Sequence, residues 1–175
     1  RALFAERKTE EAISHYKTAI RLKPNLVEAH NNLGNALFAE RKTKEAISYY
    51  KTAIKLDPDY AEAHYNLGKA LFVEQKTEEA VSQYKMVIKL RPGSAAAHNN
   101  LGNALFAERK TEEAISHYKT AIRLKPELAE AHNNLGNALF AERKTEEAIS
   151  HFKAAIKINP VDAKAYYDFG NVLRE

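Results

Sequence analysis

Apolar residues recur along this chain at spacings of three and four. Ala29, Leu33, Ala36 and Leu37 form one such set, and Ala46, Ile47, Tyr50, Ala53 and Ile54 form the next. This is the spacing of one face of a helix, so two amphipathic helices are predicted in succession. Between them lies the polar segment Glu40-Arg41-Lys42-Thr43. Thr43 is expected to cap the second helix, its hydroxyl accepting a bond from an unpaired backbone N–H. Thr9, Thr77, Thr111 and Thr145 occupy the corresponding places. Pro58 ends the second helix, because proline disfavours αR geometry in the residue before it and has no N–H to donate.

The pattern has a fixed period. Pro24, Pro58, Pro92, Pro126 and Pro160 are spaced 34 residues apart, and so are Gly34, Gly68, Gly102, Gly136 and Gly170. A period of this size is the mark of a helical repeat array. Full repeats run 27–60, 61–94, 95–128 and 129–162, with partial repeats at 1–26 and 163–175, so residues 1–175 are read as a single array. Gly34 falls in mid-helix, where glycine costs about 1 kcal/mol relative to alanine. Close approach of the two helices, with only the methyl of Ala46 opposite, is the expected compensation, and Gly34→Leu is expected to break the unit.

The set Leu33-Gly34, Leu37, Ala46, Tyr50, Ala53 and Pro58 recurs in every complete unit, and with this spacing it resembles the tetratricopeptide repeat family. Two departures stand out. His30, His64, His98 and His132, then Tyr166, occupy a position where the family often has tryptophan or another aromatic. Arg7, Arg41, Gln75, Arg109 and Arg143 occupy the inter-helix turn where glycine is frequent. The resemblance implies an all-α fold, a right-handed superhelical solenoid of antiparallel helix-turn-helix repeats of 34 residues. First helices would line a concave groove and second helices the outer face. The implied role is a scaffold for protein–protein interaction, not an enzyme. A lone hairpin cannot bury its own apolar face, which is why such units stack.

On the first helix, Glu28, Asn31, Asn35 and Phe38 lie on one stripe away from Leu33 and Leu37. The stripe is expected to face the groove. Its counterparts are Glu62, Tyr65, Lys69 and Phe72; Ala96, Asn99, Asn103 and Phe106; and Glu130, Asn133, Asn137 and Phe140. Neighbouring first helices lie roughly 10 Å apart, which an extended peptide covers in about three residues. The expectation is that the amides bond the backbone of a peptide while the phenylalanines take its apolar side chains. A further row, Asn32, Asn66, Asn100 and Asn134, resembles the asparagine ladder of the O-linked N-acetylglucosamine transferases, and Asp168 breaks it. Family members that clamp the carboxylate end of a chaperone tail use lysine and arginine on successive first helices. Here Asn31, Asn99 and Asn133, and Glu28, Glu62 and Glu130, stand at those places, so acidic chaperone tails are not expected as ligands. The repeat 61–94 diverges most, with Tyr65, Lys69, Val73, Gln83 and Met86, and is the first place to look for specificity.

Composition adds limits. A hydrophobic content of 45% is too high for disorder, and the chain has no cysteine. Without a signal-like start or an apolar run of about 18 residues, it reads as cytoplasmic, with no membrane insertion. The net charge of +4 says little, but Lys17/Arg21, Lys51/Lys55, Lys85/Lys89, Lys119/Arg123 and Lys153/Lys157 stripe the second helices. Complementing the helix dipole explains them, since glutamates start these helices. An acidic partner or nucleic acid bound on that side is the alternative, with nucleic acid the less expected of the two. Seven histidines are the residues that suggest chemistry. Equivalent rings about 10 Å apart cannot share a zinc ion that needs nitrogen within about 2.1 Å. Pairs between the first-helix histidines and His15, His117 and His151 stay open. No metal, cofactor or catalytic constellation is expected. Near-identical units leave head-to-tail self-association as a further alternative.

Overall fold

The computed structural model describes the backbone from residue 2 to residue 174 and the side chains from residue 8 to residue 174. The helices are α1 (Ala2–Leu22), α2 (Val27–Ala39), α3 (Thr43–Leu56), α4 (Ala61–Val73) and α5 (Thr77–Leu90). They continue as α6 (Ala95–Ala107), α7 (Thr111–Leu124), α8 (Ala129–Ala141), α9 (Thr145–Ile158) and α10 (Ala163–Leu173), and no strand occurs among the described residues. The chain divides into two compact units, one up to Leu90 and one from Arg91. In the first, α2 packs with α3 and α4 with α5; α1 lies against α2, α3 against α4, and the first helices α2 and α4 also touch. In the second, α6 pairs with α7 and α8 with α9, α7 meets α8, α9 meets α10, and α8 touches both α6 and α10.

Each hairpin closes over the residues that the periodicity selects. Leu33, Leu37, Ala46, Tyr50 and Ala53 are buried, as are Leu101, Leu105, Ala114, Tyr118 and Ala121 in the equivalent repeat. The reason for the mid-helix glycine is more specific than Ala46. A Cβ on Gly34 would lie 2.5 Å from Cε1 of Tyr50, and one on Gly102 would lie 2.5 Å from Cε1 of Tyr118. Each glycine is the seat of an aromatic ring from the second helix, and Gly68 and Gly136 seat Tyr84 and Phe152 in the same way.

The inter-helix turns differ from the expectation. The helices start at Thr43, Thr111 and Thr145 themselves, with Lys42, Lys110 and Lys144 at the cap position and no side-chain cap bond. The end of the preceding helix decides this. Arg41 N–H donates to the carbonyl of Phe38 at 3.0 Å and Lys42 N–H to that of Leu37 at 2.9 Å, a Schellman closure with Arg41 in the left-handed region at φ 60°. Lys42 thus finishes one helix and caps the next, and Thr43 is already helical, out of reach of the free N–H groups. Gln75, Arg109 and Arg143 hold the same positive φ. A side chain there costs about 1–2 kcal/mol that glycine avoids, part of it offset by glycine's greater freedom when unfolded. Arg109→Gly is therefore expected to stabilise the second unit by roughly 0.5 kcal/mol; a lower urea midpoint for the variant would contradict this.

The turn expected at Arg7 and the cap expected at Thr9 are absent, since α1 runs unbroken from Ala2 to Leu22.

Candidate functional site: the face of the first helices

Within each unit the first helices lie side by side, and asparagines bridge them. Asn31, Asn99 and Asn133, expected to contact a ligand, are instead buried, at 0%, 2% and 3% exposure. On a lone helix they face outward; in the stack the neighbouring first helix covers them. Asn66 Nδ2 donates to Asn31 Oδ1 at 3.0 Å, and Asn134 Nδ2 to Asn99 Oδ1 at 3.1 Å. Asn99 Nδ2 also donates to Glu130 Oε1 at 3.1 Å. At the last rung Asp168 offers only acceptors. Asn133 and Asn137 both donate to its Oδ2 at 2.8 Å, and Asn133 Oδ1 is left buried without a partner. These amides form the frame that holds the helices in register, not a ligand row.

Asn35 is exposed, and Asn103 and Asn137 are half-buried. Their orientation is set from below. The Tyr50 hydroxyl donates to Asn35 Oδ1 and the Tyr118 hydroxyl to Asn103 Oδ1, both at 2.9 Å, which leaves the amide N–H groups as the outward donors. Burial pushes both tyrosine hydroxyls well above their ordinary pKa, with the Glu130 carboxylate adding to the effect at Tyr118, so they remain donors at neutral pH. Phe152 has no hydroxyl, and Asn137 turns to Asp168 instead.

Phe38, Phe72, Phe106 and Phe140 are half-buried along the edge of this face. In the divergent repeat the side chains converge. The exposed Lys69 places its ammonium 5.8 Å from the ring centre of Phe38 on α2 and 5.9 Å from that of Tyr65 on its own helix. Tyr65 in turn meets Tyr84 edge-on at 6.2 Å. An accessible cation between two aromatic rings is the most distinctive feature of the surface.

The histidines form cross-helix pairs at a constant offset of nineteen residues, a signal that the sequence carried and its row-by-row reading left open. His98 Nδ1 lies 3.0 Å from His117 Nδ1, and His132 Nδ1 lies 3.1 Å from His151 Nδ1. Gln83 replaces the partner of His64, bonding its Nδ1 at 2.7 Å, and the ring of Tyr49 lies beside His30. The first-helix histidines also reach back to the proline turn: Nε2 of His30, His64 and His132 donates to the carbonyls of Pro24, Pro58 and Pro126 at 2.9 to 3.0 Å. Burial holds His98 and His151 below the ordinary imidazole value; nearby Arg123 adds to this at His98, His132 and Lys119 at His151, while the Pro92 carbonyl and Glu147 oppose it. The basic row on the second helices, from Lys17 and Arg21 to Lys153 and Lys157, is exposed throughout. No described helix is long and apolar enough to cross a membrane.

Hairpins of fixed length, each buttressed by its neighbours, define a helical repeat protein. The chain belongs to the tetratricopeptide repeat family: the family pattern described as TPR repeat matches residues 1–40, 34–73, 68–108 and 102–142, and the tetratricopeptide repeat itself matches residues 129–162. Proteins built of such repeats are scaffolds for protein interaction, generally without enzymatic activity. Among solved structures it is similar to MamA, at 29% identity and a TM-score of 0.82, covering 91% of this chain and 94% of that one. It is also similar in fold to PilF of Pseudomonas aeruginosa, at 20% identity and a TM-score of 0.87, over 99% and 79% of the two chains. YrrB, described as a TPR protein with an unusual peptide-binding site, matches at 24% identity and a TM-score of 0.76, over 91% and 82%. No curated protein sequence matches the chain.

Proposed function

We propose that the chain binds an extended segment of a partner protein along the exposed edge of its first helices. In the first unit Asn35, Phe38, Tyr65, Lys69 and Phe72 form the surface, and in the second Asn103, Phe106, Asn137 and Phe140. The amides supply donors for a peptide backbone and the rings supply apolar seats. Asn31, Asn99 and Asn133 contribute by fixing the spacing of the helices. YrrB offers a precedent for peptide binding on this fold.

The observation that carries the reading is Lys69 standing over Phe38 and Tyr65. An exposed cation flanked by rings favours an acidic side chain beside an apolar one, a chemistry distinct from a clamp of several cations on a chain terminus. Labelled peptides with Phe next to a central Glu, Gln or Lys test it by anisotropy. The Glu peptide is expected to bind best, and Lys69→Glu to weaken it about tenfold or more, near 1.4 kcal/mol. Equal affinity for all three peptides would defeat the assignment.

A further inference from the structure

The proline carbonyls fix more than the position of the histidines. Where Nε2–H of His132 donates to Pro126, the neutral ring keeps an unprotonated Nδ1, so the proton in the 3.1 Å bond to His151 sits on His151 Nδ1. A Pro92 carbonyl bond holds His98 in the same tautomer, facing His117 across 3.0 Å. A carbonyl that locks one ring nitrogen as a donor and aims the other outward is the arrangement that prepares histidine to ligate a metal.

We infer that His98 with His117, and His132 with His151, are two-histidine sites for a divalent transition-metal ion, bound through the facing Nδ1 atoms. The spacing carries the choice of ion. Two nitrogens about 2.05 Å from one ion lie about 2.9 Å apart at a right angle and about 3.3 Å apart at the tetrahedral angle. The observed 3.0 and 3.1 Å lie nearer the right angle, which octahedral Ni²⁺ or tetragonal Cu²⁺ uses. His117 and His151 are half-exposed, so water reaches the remaining coordination positions. No group of three or more His, Cys, Asp or Glu is placed to hold a metal among the described residues, so the protein contributes two ligands per ion. Binding replaces the proton shared by each pair: the second-helix ring gives up its Nδ1 proton, which passes to its Nε2 or to solvent. Arg123 near the first pair and Lys119 near the second oppose the added charge, and Glu147 beside His151 favours it.

The test uses the tag-free chain, dialysed against NiCl₂ at neutral pH with bound metal counted. Wild type is expected to bind two ions, His117→Gln or His151→Gln one, and the double variant none. Glutamine is a safe replacement, since Gln83 already partners His64 in the same place. Gln83→His is expected to add a third ion, a gain that misfolding cannot mimic. Ni²⁺ should raise the melting temperature of wild type and not of the double variant, and binding should fall as pH drops below the imidazole range near 6.5. Less than one ion bound by wild type, or equal binding by wild type and the double variant, overturns the inference.

Discussion

Gly102→Leu is expected to unfold the second unit, and Gly93→Ala, in the turn before α6, to stabilise it. The two glycines differ in what stands above them. A Cβ on Gly102 would lie 2.5, 2.7 and 3.0 Å from Cε1, Cδ1 and Cζ of Tyr118. That ring cannot retreat, because it is 1% exposed and its hydroxyl is tied to Asn103 at 2.9 Å. Even a methyl at Gly102 is expected to cost about 1–3 kcal/mol through overpacking. An isobutyl group costs more, against a typical total stability of about 5–15 kcal/mol. Gly93 has no positive φ, and a Cβ there would meet nothing within 4 Å, so alanine brings only the lower entropy of the unfolded chain, about 0.4–1 kcal/mol. Urea titrations followed by circular dichroism give both values. If the two substitutions moved the midpoint in the same direction, the seating of a ring would not be what the repeat glycine serves.

Asn99→Ala is expected to be the most damaging polar substitution. Asn99 receives a bond from Asn134 and donates to Glu130, both at 3.1 Å, between α6 and α8. Alanine removes both bonds and strands the Asn134 amide at a half-buried position. A loss of about 2–3 kcal/mol follows from an unsatisfied group plus the small cavity. In an array the cost falls on the coupling between neighbours, so the unfolding transition is expected to broaden as well as shift. Asn31→Ala is expected to act alike on α2 and α4 through Asn66. A change below about 0.5 kcal/mol at Asn99 would place it with ordinary surface residues and sink the account of the ladder.

Particular residues show how far the sequence could be read. The prolines and glycines at their fixed period gave the number and order of the hairpins, and the apolar spacing gave Leu33, Leu37, Ala46, Tyr50 and Ala53 as core. In the divergent repeat, Lys69 stands over the rings of both Phe38 and Tyr65. Thr43 was misread because the left-handed Arg41 shortens the turn, and glycine, the usual signal for that conformation, is missing. The role of Gly34 was read correctly as close approach, but the partner proved to be a ring sixteen residues on instead of a methyl.

The chain by itself determined the repeat, its helices and the face each helix turns toward its own hairpin, because those follow from periods of 3.6 and 34 along one dimension. Tertiary structure decided what happens between hairpins. Asn31 and Asn35 stand four residues apart on one stripe, yet the first is sealed and the second is exposed. Angular position on a helix is local, whereas burial depends on where the neighbouring axis passes, and only the packed stack sets that distance.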